Sequence, residues 1–232
     1  MEPDAERLVV YSHYKLNSGK SEEAVQFLSD VLRRYSHACI VDNNLSLFIE
    51  NLANSGPCRF IWLIRNPWDC IASLAAWKWY RKPKDVEPND VFANHRLAAD
   101  VAGEMTPDEW KDLPLLGRCA WYWKFLNLRI ERQLVALDED RWVRVRLEDW
   151  SPAIARSLLR SVGSVDGDVA DWRLPKMNAG PRGRDRPRWT TDEVALVTEV
   201  AGKTLARWYP ERNFQMPRAG VQASGPGSAK ER

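Results

Sequence analysis

The chain has 232 residues, enough for one domain with a sizeable core. Its 34 Lys plus Arg against 32 Asp plus Glu give a net charge of +2, without the basic excess of a dedicated nucleic-acid binder. With 44% hydrophobic and 28% charged residues the composition is that of an ordinary globular protein, and its apolar runs are too short to span a bilayer. The cysteines Cys39, Cys58, Cys70 and Cys119 form no C-x-x-C pair and show no metal-ligand spacing, so free thiols in a reducing compartment are expected. The start, Met1-Glu2-Pro3-Asp4-Ala5-Glu6-Arg7, is acidic and lacks a signal-peptide core, which points to a cytoplasmic protein. Of the 12 tryptophans most are expected in or beside the core, with a few available to line an acceptor pocket.

Leu8 to Tyr11 reads as a short strand, and Ser21 to Arg34 as an amphipathic helix capped by Ser21. Cys39-Ile40-Val41 reads as a buried strand. Leu45 to Ala53 fits a helix closed by Asn54-Ser55-Gly56-Pro57. Phe60 to Ile64 is a second buried strand, apolar throughout, as suits a parallel sheet covered on both faces. Asn66-Pro67 ends it and starts a helix running to about Arg81. This alternation predicts an α/β fold, a parallel sheet flanked by helices on both faces. Lys82 to Asp90 reads as a polar loop and Val91 to Ala102 as a short helix. A long helix is expected over Leu115 to Leu137, a strand over Trp142 to Leu147 and a helix over Pro152 to Val162. Asn178 to Arg188 is a basic Gly/Pro loop, Thr191 to Trp208 a final helix, and residues 212–232 a disordered tail after a single domain over 1–211.

The strongest constellation lies in FIWLIRNPWDCIASLAAW, Phe60 to Trp77. The strand delivers Arg65 to its carboxyl end, the edge at which open α/β sheets bind ligands. Asn66 is an N-cap and Pro67 suits the first helical position. The helix start offers unpaired N–H groups and partial positive charge, and Arg65 adds a fork of donors suited to phosphate oxygens. Ser73 follows Asn66 by seven residues and so shares its helix face. The plainer alternative is a strand–turn–helix in which Arg65 meets a carboxylate and Ser73 is buried.

An apolar strand followed by R-[DN]-P, with Ser73 eight residues after Arg65, resembles the 3′-phosphate-binding motif of sulfotransferases that use 3′-phosphoadenosine 5′-phosphosulfate (PAPS). Other segments follow in the family's order. Ile40-Val41-Asp42-Asn43-Asn44 resembles its second strand. WVRVRLEDW, Trp142 to Trp150, resembles its V-x-Y-E-D-L strand, with Glu148-Asp149 in place. SLLRSVG, Ser157 to Gly163, resembles the helix and F-L-G that follow, and Gly180 to Trp189 resembles the basic segment that closes over the 3′-phosphate. The likeness covers about residues 25–210. It implies a P-loop-like sulfotransferase fold, with Arg65 and Ser73 on the cofactor's 3′-phosphate. Gly183 and Arg184, and less directly Arg182, are the implied closing contacts; a solvated basic turn is the alternative for that loop. Glu148 and Asp149 are expected to be structural, bonding a loop backbone or an arginine.

The family also places a P-[KR]-[ST]-G-T-[TS] turn after its first strand, to hold the 5′-phosphosulfate. Asn17-Ser18-Gly19-Lys20-Ser21 stands between a strand and a helix, but no glycine precedes Gly19 and Lys20 follows the glycine rather than preceding it. Either this is a divergent phosphate cradle, or, as the sequence favours, the chain begins after that element or has lost it. His13, His37 and His95 match no marked position, Asp42 is a possible base by location alone, and no residue is assigned as catalytic.

The expected activity is therefore transfer of a sulfonate from PAPS to a hydroxyl or amine of a small-molecule or glycan acceptor, without a metal. The alternatives are an impaired sulfotransferase-like binding protein or fragment, and a P-loop kinase built on Ser18 to Ser21, which requires Mg²⁺. The variable segment Arg81 to Pro114 is the expected place of an acceptor pocket.

Overall fold

The computed structural model describes residues 26, 45–77, 79–80, 96–161 and 189–209. These form a mostly helical assembly around a small parallel sheet. A 3₁₀ turn, Leu45–Phe48, leads into helix α1, Ile49–Ser55. Strand β1, Phe60–Ile64, runs into α2, Pro67–Ala76. Helix α3, Pro107–Asp112, and the 20-residue α4, Leu115–Leu134, precede strand β2, Trp142–Arg146. A 3₁₀ turn, Leu147–Asp149, then α5, Pro152–Ser161, and α6, Thr191–Trp208, complete the order.

β1 and β2 pair in parallel, from Phe60↔Trp142 to Ile64↔Arg146. A parallel pair needs a long crossover, and α2, α3 and α4 supply it. Trp62 and Ile64 point into a core built with Ile71 of α2, Cys119, Ala120, Trp123, Ile130 and Leu134 of α4, and Val194, Val197, Ala201, Leu205 and Trp208 of α6. The opposite side of α4 carries Trp121 and Tyr122 into a second cluster with Leu47, Phe48, Leu52, Leu97 and Trp110. α4 is therefore the central helix, buried on two sides, which explains its two apolar stripes. Trp62 joins the first core by a hydrogen bond as well: its indole N–H donates to Asn127 Oδ1 at 3.2 Å, and the Asn127 amide donates to Trp123 O at 2.8 Å. Trp208 packs edge-on against both Trp62 and Trp123, with ring centroids 5.4 and 5.7 Å apart.

The helix ends follow their sequence signals. Thr106 and Glu109 form a capping box at α3, and Thr190 and Glu193 form another at α6, each satisfying two backbone N–H groups. Arg118 closes the other end of α3, its guanidinium donating to Leu113 O and Lys111 O at 2.8 and 2.7 Å. Arg141, just before β2, donates to the carbonyls of Ala53, Gly56 and Cys58 at 3.1–3.3 Å. It thereby joins the end of α1 to the start of both strands.

Several expectations need correction. The helix after Asn66 stops at Ala76 rather than near Arg81, with Trp77 as its C-cap. Of the stretch expected as helix, residues 96–98 have no regular structure and 99–102 form turns, and α3 lies in a stretch read as loop. Burial along β1 alternates: Ile61 and Leu63 are 36% and 47% exposed, so among the described residues the helices cover the Trp62/Ile64 face and leave the other open. An apolar run in a strand tells that the strand prefers burial; it does not supply the second layer. The expected elements at Leu8 to Tyr11 and Cys39 to Val41, and nearly all of the helix at Ser21 to Arg34, lie outside the described residues, as does the tail. Among the described residues no helix is long and apolar enough to cross a membrane.

Candidate functional site

The parallel register sets the geometry of the carboxyl edge. Ile64 and Arg146 are paired, so the residues two positions further on, Asn66 and Glu148, come level. Glu148 Oε1 accepts the backbone N–H of Asn66 at 2.6 Å, and Oε2 accepts the hydroxyl of Tyr209 at 3.0 Å. The sequence expectation that Glu148 bonds a loop backbone is met. Asp149 takes the other role foreseen for the pair: Arg146 Nε donates to its carboxylate at 2.5 Å. The Arg146 guanidinium also lies 5.8 Å from the centre of the Tyr209 ring.

Asn66 is the N-cap of α2, its Oδ1 accepting from Trp68 N at 2.9 Å, with Pro67 in the first turn. Such a cap is worth about 1 kcal/mol. It directs the partly positive end of a 10-residue helix to the strand edge, where Arg65 emerges. Arg65 is exposed, and among the described residues its guanidinium has neither a hydrogen bond nor an ion pair. Ser73 is also exposed, one turn beyond Asp69 on the Asn66 face of α2. The plainer alternative, a paired Arg65 with a buried Ser73, is not what the described residues show. Asp69 in the first turn carries the same sign of charge as any anion held here and opposes its binding, while offsetting part of the Arg65 charge.

Cys70 lies behind the turn, its N–H donating to Asn66 O at 3.1 Å. Burial pushes its thiol up to about 12 from 9.0; Arg65 pulls it down, while Asp69 and Glu148 push it further up. It is a neutral thiol near pH 7 and no nucleophile. Burial, followed by the adjacent Glu148 carboxylate, raises Tyr209 well above the usual phenol range, so its hydroxyl serves as a donor.

A second contact draws the C-terminal part of the chain to the same turn. Trp189, the residue that ends the basic Gly/Pro loop, packs edge-on against Trp68 of α2 with centroids 5.1 Å apart. Helix α6 is thus anchored to the turn after β1 from both sides, by Trp189 before it and Tyr209 after it. Neither Trp68–Trp189 nor Tyr209–Glu148 carries a sequence motif.

Of the residues singled out in sequence, Arg65, Asn66 and Ser73 lie on one strand–helix unit, with Glu148 bonded to Asn66 and Asp149 paired with Arg146. Gly183, Arg184 and Arg182, the Asn17 to Ser21 segment, Asp42, Asn43, Asn44, His13, His37 and His95 lie outside the described residues. At the opposite, amino end of the strands a cleft of about 30 Å³ between Arg59, Phe60, Asp140 and Trp142 has room for a water or two. Among the described residues no His, Cys, Asp or Glu cluster is placed to hold a metal ion. No protein-family model, no curated protein and no solved structure matches the chain.

Proposed function

We propose that the chain is a PAPS-dependent sulfotransferase of P-loop-like α/β architecture, moving a sulfonate to a hydroxyl or amine of a small-molecule or glycan acceptor. One observation carries this reading: a parallel strand ends in an exposed arginine, without a carboxylate partner among the described residues, at the capped start of a helix. Arg65 supplies a permanent charge and paired donors, the helix start supplies partial positive charge, and Ser73 supplies a hydroxyl. That set fits a phosphate dianion. In this role Arg65 and Ser73 hold the 3′-phosphate of the donor and so orient it; the donor brings the activated sulfonate. The contact of Trp189 with Trp68 adds support. Arg184 precedes Trp189 by five residues in the sequence. Gly183 and Arg184 are the proposed closing contacts.

Thermal shift tests the reading, with adenosine 3′,5′-bisphosphate and ATP–Mg²⁺ as parallel ligands. Stabilisation by the bisphosphate supports it and justifies an acceptor screen with PAPS. Absence of any shift leaves a fold without this cofactor. A shift from ATP–Mg²⁺ alone moves the assignment to a kinase built on the Lys20 segment.

A further inference from the structure

The bond from Asn66 N–H to Glu148 acts on one particular peptide, the one joining Asn66 to Arg65. Holding that N–H fixes the peptide plane, and with it the direction in which the Arg65 side chain leaves the end of β1. At 2.6 Å to a carboxylate it is a short, charge-assisted bond, about twice as strong as a neutral one. The second carboxylate oxygen is held by Tyr209, and Tyr209 by the Arg146 guanidinium against its ring. Arg146 is in turn paired with Asp149. A carboxylate next to a phosphate site is ordinarily unfavourable. Here each of its oxygens accepts a hydrogen bond from the protein, which disperses part of its charge.

We infer that Glu148, backed by Tyr209, is a positioning residue of the 3′-phosphate site: it holds the Arg65–Asn66 peptide so that the guanidinium and the start of α2 face one anion. The inference rests on the role proposed above for Arg65. Glu148 itself touches no ligand. The same arrangement ties the residue that follows α6 to the residue that follows Arg65 through one carboxylate.

The test is calorimetric binding of adenosine 3′,5′-bisphosphate to the full chain and to Glu148→Ala, Glu148→Gln and Tyr209→Phe, each alone and combined with Arg65→Ala. Glu148→Ala is expected to weaken binding about tenfold or more, the loss of one bond to a charged group. Glu148→Gln keeps an acceptor for Asn66 and gives Tyr209 an amide donor, and should stay within about threefold of the unsubstituted chain. Tyr209→Phe should fall between. On the Arg65→Ala background the effect of Glu148→Ala should shrink to the small part owed to the start of α2, because the aim of Arg65 no longer matters. A fold-wide role would weaken binding equally on both backgrounds and would overturn the inference, as would unchanged binding in Glu148→Ala. Should Glu148→Ala not fold, Tyr209→Phe with and without Arg65→Ala decides by the same criterion. If the unsubstituted chain does not bind the bisphosphate, the sulfotransferase reading itself fails and takes this inference with it. That outcome is distinct, because it appears before any substitution is made.

Discussion

Replacing Arg65 by Ala separates binding from folding. Arg65 is exposed and, among the described residues, makes no hydrogen bond or ion pair, so the ligand-free protein should lose no more than about 0.5 kcal/mol. Binding is affected differently. A guanidinium giving charge-assisted bonds to a phosphate is worth about 1.5–3 kcal/mol, or roughly 10- to 150-fold in Kd. At a bisphosphate concentration about 100 times Kd the unsubstituted chain gains about 2.7 kcal/mol. For a chain of this size that raises Tm by about 5–10 °C. A variant whose Kd is about 100-fold weaker gains only about 0.4 kcal/mol at the same concentration, a rise near 1 °C. Scanning fluorimetry measures both quantities, the ligand-free Tm and its shift. Two results refute the reasoning. An equal ligand shift in both proteins removes Arg65 from the site. A ligand-free loss well above 1 kcal/mol shows instead that Arg65 is part of the structural framework.

Alkaline stability should reflect the two buried thiols. Burial raises both Cys70 and Cys119 from 9.0 to about 12, so their contribution is complete below about pH 9 and is lost as pH rises toward 12. Each adds about 1.4 kcal/mol of lost stability per pH unit in that window, so urea melts from pH 8 upward should be flatter in Cys70→Ala/Cys119→Ala; an unchanged slope rejects this cause. In the core, Trp62→Phe leaves Asn127 Oδ1 without its indole donor and should cost about 1–3 kcal/mol. Adding Asn127→Leu should cost less than the separate effects sum to, and strict additivity in a denaturation cycle would contradict the pairing. Arg141→Ala strands the carbonyls at the end of α1 and should destabilise by about 2 kcal/mol. Arg141→Lys should recover little in the same urea melts, because one ammonium cannot span the three acceptors.

Much of the local structure was legible in the sequence because local rules govern it. Phe60–Ile64 and Thr191–Trp208 have the bounds read from the sequence, and the starts at Pro67, Leu115, Trp142 and Pro152 agree. Each is marked by a proline, a cap or an abrupt change in apolar periodicity. The α3 capping box, T-P-D-E at Thr106 to Glu109, was present in the sequence too, but six residues carry too little periodicity to stand out from the loop around them. The end of α2 was misjudged for the opposite reason. The apolar and aromatic residues continue past Ala76, whereas the helix ends there, with its C-cap Trp77 exposed.

For the site, the sequence by itself placed Arg65 at a strand end, Asn66 as a cap and Ser73 on the same helix face. All three follow from spacing within one continuous segment. What only the tertiary structure decided is which distant groups meet there. That Glu148 comes level with Asn66 depends on the parallel register of two strands joined by a crossover of more than 70 residues. That Tyr209 and Trp189 close on the same turn depends on how α6 lies against α4 and the sheet. Hydrophobic burial fixes those placements through the summed contacts of Trp62, Trp123 and Trp208, and no short stretch of sequence carries that sum.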